Sequence, residues 1–146
     1  MSKPANPVET TDNLQDQTMQ RSNTDNAPRS AIHQTLYSAD TFVQHDYLAG
    51  KNLPDIAHPQ EGQINWLHFV GINDVVLLKH ALEPYGIHEL VIEDILSRKQ
   101  RPKIEDYGNY VFTAAQVYHY TSTGKLHSDQ VYVIIGKDFV LSFQQK

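Results

Sequence analysis

The clearest hydrophobic pattern in the chain begins with the apolar and aromatic run at residues 64–70, which Gly71 closes. This composition predicts a β-strand. Asn73 or Asp74 can then cap a helix, and Gly86 offers a left-handed stop to it. The apolar positions of this helix recur at helical spacing: Leu78, Ala81, Leu82 and Tyr85.

Pro84 lies near the end of this predicted helix. Proline disfavours the helical conformation of the residue before it, so we expect the helix to tighten or finish early. A second short helix is predicted at about residues 88–97, with Glu89 in the first turn, where a negative charge is favourable. Pro102 then marks an extended loop.

The last third of the chain is rich in β-branched and aromatic residues. Residues 110–120 carry apolar side chains on both alternating faces, which predicts a central strand covered on two sides. Residues 121–125 indicate a turn, and further strands are predicted at 130–135 and 139–143. One strand, two helices and a three-strand meander together predict an α+β domain, a mixed sheet with helices packed on its faces.

The N-terminal part shows weaker signals. Residues 1–33 are mostly polar, and such a segment cannot bury enough surface to offset the entropy lost on ordering, so we expect a disordered tail. Residues 34–146 then form the domain. Within it, residues 35–47 are a weak strand candidate, and residues 51–62, with two prolines, predict a loop.

Length and composition limit the possible functions. A chain of 146 residues with 40% hydrophobic content can build one modest domain. Its net charge of -5 argues against a nucleic-acid partner, which would require a broad basic face. The absence of cysteine excludes disulfides and thiolate metal sites. No apolar run is long enough for a membrane span or secretory signal, so we expect this polypeptide to be soluble.

The acid pair Glu93–Asp94 is the main candidate for chemistry. On a helical projection Glu93 points to the polar side, whereas Asp94 falls beside the apolar arc of Leu90, Val91, Ile92 and Ile95. A carboxylate at such a position must be paired, hydrogen-bonded or bound to a cation. A salt bridge to Arg98 or Arg101 is one interpretation, and a metal or subunit contact is the other.

Two other groups of charged residues carry less weight. The basic residues at positions 98–103 are flanked by acids, which favours a solvated loop with local ion pairs over a phosphate site. The second acid pair, Glu105–Asp106, could act with the first as general acid and base, but no nucleophile motif or phosphate-binding loop accompanies it. We therefore predict no catalytic residues and no enzyme. The eight histidines match no zinc motif.

Four segments of the chain together carry a family resemblance. They are residues 66–70, YGIH at 85–88, LVIEDILSRKQRPKIEDYGNYVF at 90–112 and QVYVIIGKDFVLSFQ at 130–144. Over about residues 65–146 the chain resembles the N-terminal cytosolic domain of CorA-type divalent-cation transporters. The resemblance implies a layered α/β/α domain belonging to a homopentameric magnesium and cobalt channel. In that family a long stalk helix and the membrane helices follow this domain, so we expect the chain to be a fragment without a pore.

The resemblance also implies roles for the first acid pair. Asp94 corresponds to an acid that binds regulatory Mg²⁺ between neighbouring protomers, and Glu93 to an acid of a second, looser site. The remaining acids of the site would come from the neighbouring subunit's stalk. Mg²⁺ is a hard cation that prefers carboxylate oxygens, and so few ligands predict weak binding to the isolated domain. Co²⁺ is the other cation that the resemblance suggests.

The expected function is therefore a Mg²⁺-sensing regulatory domain at the cytosolic face of the membrane. Its partners would be its own stalk and membrane segments and the other subunits of a pentamer, while the fragment itself could be monomeric or a non-native dimer. Two alternatives remain at this point. The chain could belong to a zinc-transporting member of the same superfamily, or it could be a standalone soluble interaction module.

Overall fold

Seven strands form one mixed sheet in the computed structural model, which describes residues 30–50 and 52–145. The strands are β1 Ala31–Tyr37, β2 Phe42–Leu48, β3 Ile64–Val70, β4 Lys103–Asp106, β5 Tyr110–Tyr120, β6 Leu126–Gly136 and β7 Phe139–Gln144. The helices are α1 Val75–Leu82 and α2 Glu89–Ser97, with a 3₁₀ turn at Glu83–Tyr85 between them. The α+β class and the mixed sheet are confirmed.

The strands lie side by side in the order β2-β1-β3-β7-β6-β5-β4. β3 and β7 are parallel, and every other neighbouring pair in this order is antiparallel. The parallel pair joins the N-terminal hairpin and β3 to the C-terminal meander. Gly136 permits the tight connection before β7, because a Cβ atom there would lie 2.2 Å from the ring of Phe139.

Both helices begin and end where their sequence signals predicted. The side chain of Asp74 accepts a hydrogen bond from the Leu77 amide at 2.9 Å and caps α1. Pro84 lies in the 3₁₀ turn, and Gly86 follows it with a left-handed φ of 60°. The ring of His88 caps α2 by accepting from the Leu90 amide at 3.2 Å.

One face of the sheet, here called the packed face, carries the hydrophobic core. Strand register places the buried apolar side chains of β3, β5, β6 and β7 on this same side. They cluster with the buried residues of the helices, which are Leu77, Leu78, Ala81, Leu82, Val91 and Ile95. In the described residues both helices therefore cover the packed face.

The opposite side, here called the open face, carries apolar side chains that no described helix covers. Ile104, Val117 and Ile135 are all exposed there, at 75%, 47% and 53%. The prediction that residues 110–120 are covered on two sides is therefore wrong for the described chain. Beyond Ala115 the hairpin also extends past the helices, and every side chain of β5 from Gln116 to Tyr120 is exposed.

The N-terminal region differs from its weak prediction. Residues 35–47 contain parts of two antiparallel strands rather than one, with the turn at 38–41 between them. The first strand begins at Ala31, so residues 31–33 belong to the sheet and not to the tail. Ser30 fixes this start, because its carbonyl accepts from the Ala49 amide at 2.8 Å and its hydroxyl from the Asn73 amide at 3.2 Å. The rest of the predicted tail lies outside the described residues.

The loop at residues 52–63 is irregular, as predicted, but a buried polar network fastens it to the sheet. Gln34 donates from its amide to the Ala57 carbonyl at 2.7 Å and to the Asn65 side chain at 3.0 Å. Tyr47 donates to Gln34 at 2.9 Å and accepts from the Ala57 amide at 2.9 Å. Buried polar groups need such partners, which explains a glutamine among apolar neighbours.

Candidate functional site

Helix α2 positions the first acid pair. Val91 and Ile95 are fully buried on the packed face, and Asp94 lies at the edge of that buried stripe. Glu93 lies on the exposed side, as the projection predicted. Leu90 differs from its prediction, because it is 59% exposed rather than part of the buried arc. The helix therefore presents one acid inward and the other to solvent.

Asp94 is paired through both carboxylate oxygens. Lys103 donates to Oδ2 at 2.7 Å, and the side-chain amide of Gln100 donates to Oδ1 at 2.8 Å. An ion pair was one of the two interpretations of this position, and the partners named for it, Arg98 and Arg101, were wrong. Arg98 adopts a left-handed conformation that ends α2, and its guanidinium instead donates to the Ile72 carbonyl at 2.8 Å.

The correct partner comes from β4, a strand at the position where Pro102 predicted an extended loop. Lys103 pairs with Ala114 and Glu105 with Phe112, so both side chains lie on the packed face. Because side chains alternate along a strand, Ile104 and Asp106 lie on the opposite face. The second acid pair is therefore split in the same way as the first, with Glu105 turned inward.

These groups form what we call the Lys103 cluster, made of Lys103, Asp94, Glu105, Gln100 and Tyr107. The ammonium lies 2.7 Å from Asp94 and 3.0 Å from Glu105. Tyr107 donates to the other oxygen of Glu105 at 3.2 Å. The Asp94 hydrogen bond, reinforced by Glu105, raises the pKa of Lys103 although partial burial opposes the shift. The lysine therefore stays charged between two carboxylates.

Tyr132 lies under this cluster in the core. Its side chain is fully buried, and within residues 30–50 and 52–145 its hydroxyl has no hydrogen-bond partner. Burial raises the pKa of Tyr132 to about 12, the Asp94 charge adds to the shift, and the Arg98 charge opposes it. The Tyr132 hydroxyl is therefore a buried polar group without a described hydrogen-bond partner. It lies close enough to Asp94 for the Asp94 charge to raise its pKa.

The sequence-predicted metal residues are only partly brought together. Asp94 joins the Lys103 cluster, whereas the exposed side chain of Glu93 has no hydrogen bond or ion pair within the described part of the chain. In the same part, no three histidine or acidic side chains are spaced to hold a metal ion. Asp94, Glu105 and the hydroxyl of Tyr132, which has no described hydrogen-bond partner, offer the oxygen ligands that a hard cation prefers. Lys103 already supplies the positive charge there.

The cross-strand pairing also gathers histidines that their sequence spacing did not connect. His119 and His127 face each other on β5 and β6, and their ring nitrogens lie 3.7 and 3.5 Å from the carboxylate of Asp129. His33 lies 2.6 Å from Asp46 and stacks on His68. Burial, then the neighbouring His33, lowers the pKa of His68.

Comparison with known proteins shows which family the sequence belongs to. Its sequence matches the family described as CorA-like Mg²⁺ transporter protein over residues 61–146, which contain the whole Lys103 cluster. It is 42% identical over 82 residues to the cobalt/magnesium transport protein CorA of Thermotoga maritima. That match covers 56% of this chain and 23% of the relative, so the chain spans about a quarter of the relative's length.

Solved structures share the fold. The CorA magnesium transporter from Methanocaldococcus jannaschii aligns with a TM-score of 0.55 at 12% identity, covering 77% of this chain and 31% of that one. The full-length CmaX protein aligns with a TM-score of 0.53 at 14% identity, covering 81% and 36%. At these identities the likeness shows the fold alone.

The chain is thus similar, in sequence and in fold, to proteins named as magnesium transporters. The chain belongs to the CorA-like Mg²⁺ transporter protein family. The resemblance stated from its motifs is confirmed. In the described residues no helix is long and apolar enough to cross a membrane.

Proposed function

We propose that this chain is the cytosolic regulatory domain of a channel for divalent cations, Mg²⁺ and Co²⁺, and that it senses Mg²⁺ through Asp94. Family membership supports the transporter class. The observation that carries the sensing role is the Lys103 cluster, where two inward-facing carboxylates hold a positive charge. A site that already stabilises one cation with hard oxygen donors has the chemistry that Mg²⁺ requires.

The partial exposure of Asp94 supports a role between subunits. Its side chain is 24% exposed, so a neighbouring molecule can approach it, while its partners keep it oriented. Mg²⁺ retains several waters and is usually bound through only one or two carboxylates. A Mg²⁺ ion shared with a neighbour's acids would hold the closed assembly together, and its loss would leave carboxylates that repel. The proposed sensor is a two-state switch biased by its ligand.

Glu93 takes a secondary part in this proposal. It lies next to Asp94 in sequence but on the exposed side of α2. A solvated carboxylate can attract a hydrated cation without orienting it, because its side chain is not fixed by a described partner. Glu93 would thus form the looser site and contribute less to gating than Asp94.

The proposed partners are the other four subunits of a homopentamer and the stalk and membrane segments of a longer chain. The short span relative to the Thermotoga protein supports such a longer chain. The open face of the sheet supports it as well, because apolar residues such as Ile135 and Ile104 are exposed there. Contiguous exposed apolar surface is typical of regions that pack against another segment or subunit.

The gating role can be tested in a full-length transporter that carries this domain. We expect Asp94→Ala and Asp94→Lys to change the Mg²⁺ concentration at which transport stops, because each removes the oriented carboxylate. Asp106→Ala is the matched control, since it removes an exposed acid from the open-face side of β4. Ion flux into vesicles at graded internal Mg²⁺ measures the effect. An inhibition curve that Asp94 substitutions leave in place would return this residue to a structural role.

For the chain alone we predict weak Mg²⁺ binding, with a dissociation constant on the order of millimolar, because few ligands converge in one subunit. Titration calorimetry at constant ionic strength measures this affinity. Tight, stoichiometric binding to the monomer would contradict the proposal that a neighbouring subunit completes the site.

A further inference from the structure

Lys103 places its ammonium between the two inward-facing carboxylates, Asp94 and Glu105. Its ammonium contacts Asp94 Oδ2 and Glu105 Oε1, and it lies 5.5 Å from the centroid of the Phe112 ring. The other oxygen of Asp94 accepts from Gln100. Both oxygens of the proposed Mg²⁺ ligand are therefore engaged within the subunit.

The backbone holds Lys103 at this position. It is the first residue of β4 and pairs with Ala114 of β5, so the strand fixes where its side chain starts. The preceding loop is also fastened, because the amide of Gln100 donates to the Gln130 side chain at 3.0 Å and its carbonyl accepts from the same side chain. The lysine side chain itself is 28% exposed, so it can leave the carboxylates without unfolding the strand.

We propose that Lys103 is a tethered cation that competes with Mg²⁺ for Asp94 and thereby sets the Mg²⁺ concentration to which the domain responds. This inference rests on the proposed role of Asp94 as a Mg²⁺ ligand and adds the residue that tunes it. With Lys103 in place, one positive charge faces two carboxylates, so only one net negative charge is left to attract Mg²⁺. An arriving divalent cation must displace the ammonium or share the carboxylate with a like charge.

The test removes the charge and keeps the hydrogen-bonding capacity. Lys103→Gln places a neutral amide where the ammonium was, and we expect Mg²⁺ to bind the 146-residue chain about fivefold more tightly, as loss of one partly exposed ion pair allows. Lys103→Arg keeps the charge and should keep the weak affinity. Lys99→Gln is the matched control, because it removes an exposed positive charge from the same loop.

Nuclear magnetic resonance titration with Mg²⁺ at constant ionic strength measures both the affinity and its location. In Lys103→Gln the shifts should centre on Asp94 and Glu105, and the double variant Lys103→Gln/Asp94→Asn should lose the gain. The amide spectrum of each variant reports whether it is folded. Should Lys103→Gln not fold, Lys103→Met supplies a second charge-free side chain whose methylenes can still pack on Phe112.

Two outcomes would overturn the competition. In one, Lys103→Gln binds Mg²⁺ at Asp94 no more tightly than the original chain. In the other, Lys99→Gln produces the same gain, which would mean that only net charge matters. Neither result would refute the sensor itself, because its failure is seen separately in the full-length transporter, as an Asp94 substitution that leaves the inhibition curve unchanged.

Discussion

Ile134 and Ile135 are consecutive residues of β6, identical in chemistry and opposite in environment. Ile134 lies on the packed face and is fully buried, whereas Ile135 lies on the open face and is 53% exposed. Each pairs with a residue of β7, Leu141 and Val140 respectively, so their backbone environments are alike. The difference is the helical layer, which covers one face in the described residues.

This contrast shows that residue type alone did not define the core. Both faces of β5 and β6 carry isoleucine and alanine, and the valines of these strands all lie on the open face. Helices α1 and α2 decide which face is dry, because their buried residues contact only the packed face in the described chain. The open face carries exposed apolar side chains such as Ile104, Val117 and Ile135, and no described helix covers them. Such a surface suits contact with another part of a transporter.

The largest expected effect comes from breaking the contrast between the two isoleucines. Ile134→Ala should lower the free energy of unfolding by about 2–5 kcal/mol, because it leaves a cavity in the packed core. Ile135→Ala should lower it by less than about 1 kcal/mol in this chain, because half of that side chain is already in water. Urea unfolding followed by circular dichroism measures both. Equal losses would mean that this chain covers its open face in solution.

A second test applies the same contrast to neighbouring acids. Asp94→Asn should lower the free energy of unfolding by about 1–2 kcal/mol, because it removes a partly buried ion pair with Lys103. Glu93→Gln should change it by no more than about 0.5 kcal/mol, because the residue is exposed. Chemical unfolding at low and high salt checks this. Matching losses from the two variants would show that position on α2 does not separate their roles.

The smallest effect is expected from Tyr132, whose buried hydroxyl lies below the cluster. Tyr132→Phe should raise the free energy of unfolding by about 1 kcal/mol at neutral pH, because it removes a buried polar group that has no partner in the described structure. The variant should also resist alkali better. The folded pKa is about 12 and the ordinary value is 10.0, so the unfolded tyrosine ionises first and stability falls as pH rises from 10 to 12.

Unfolding curves at about pH 7, 10 and 11.5 measure this difference between the original chain and the Tyr132→Phe variant. The original chain should lose stability faster than the variant above its unfolded tyrosine pKa of 10.0, while the two curves run parallel below it. A destabilised variant at neutral pH would indicate that the hydroxyl is hydrogen-bonded in solution, for example to water next to Asp94.

Much of the fold could be predicted from local signals. The alternation and composition of β3 and β5 gave their bounds without error, and the capping residue Asp74 gave the start of α1. Pro84 predicted that α1 finishes early, and Gly86 ends the 3₁₀ turn that follows it. These features depend on the residues themselves, so they can be recognised without knowledge of the fold. The four-residue β4 and the first hairpin were not predicted correctly, because these strands depend on pairing with a neighbouring strand more than on a strong local pattern.

The candidate site divides along the same line. Helical periodicity separated Asp94 from Glu93 and predicted that the inward acid would be paired, hydrogen-bonded or bound to a cation. It did not identify Lys103, which is nine positions away and reaches Asp94 only because β4 pairs with β5 beside α2. Arg98 has the favoured helical spacing but does not pair with Asp94, because its left-handed backbone directs its guanidinium to the Ile72 carbonyl.

The sequence by itself determined the two helices, four of the strands, the inward position of Asp94 and the family, because each is written in local periodicity or in a contiguous motif. Only the tertiary structure decided which face of the sheet is dry and which cation meets Asp94. The buried face and the pairing of Asp94 with Lys103 both depend on residues that are distant in sequence and that strand pairing brings together. The strength of such an ion pair depends on its burial, which several segments of the chain determine together.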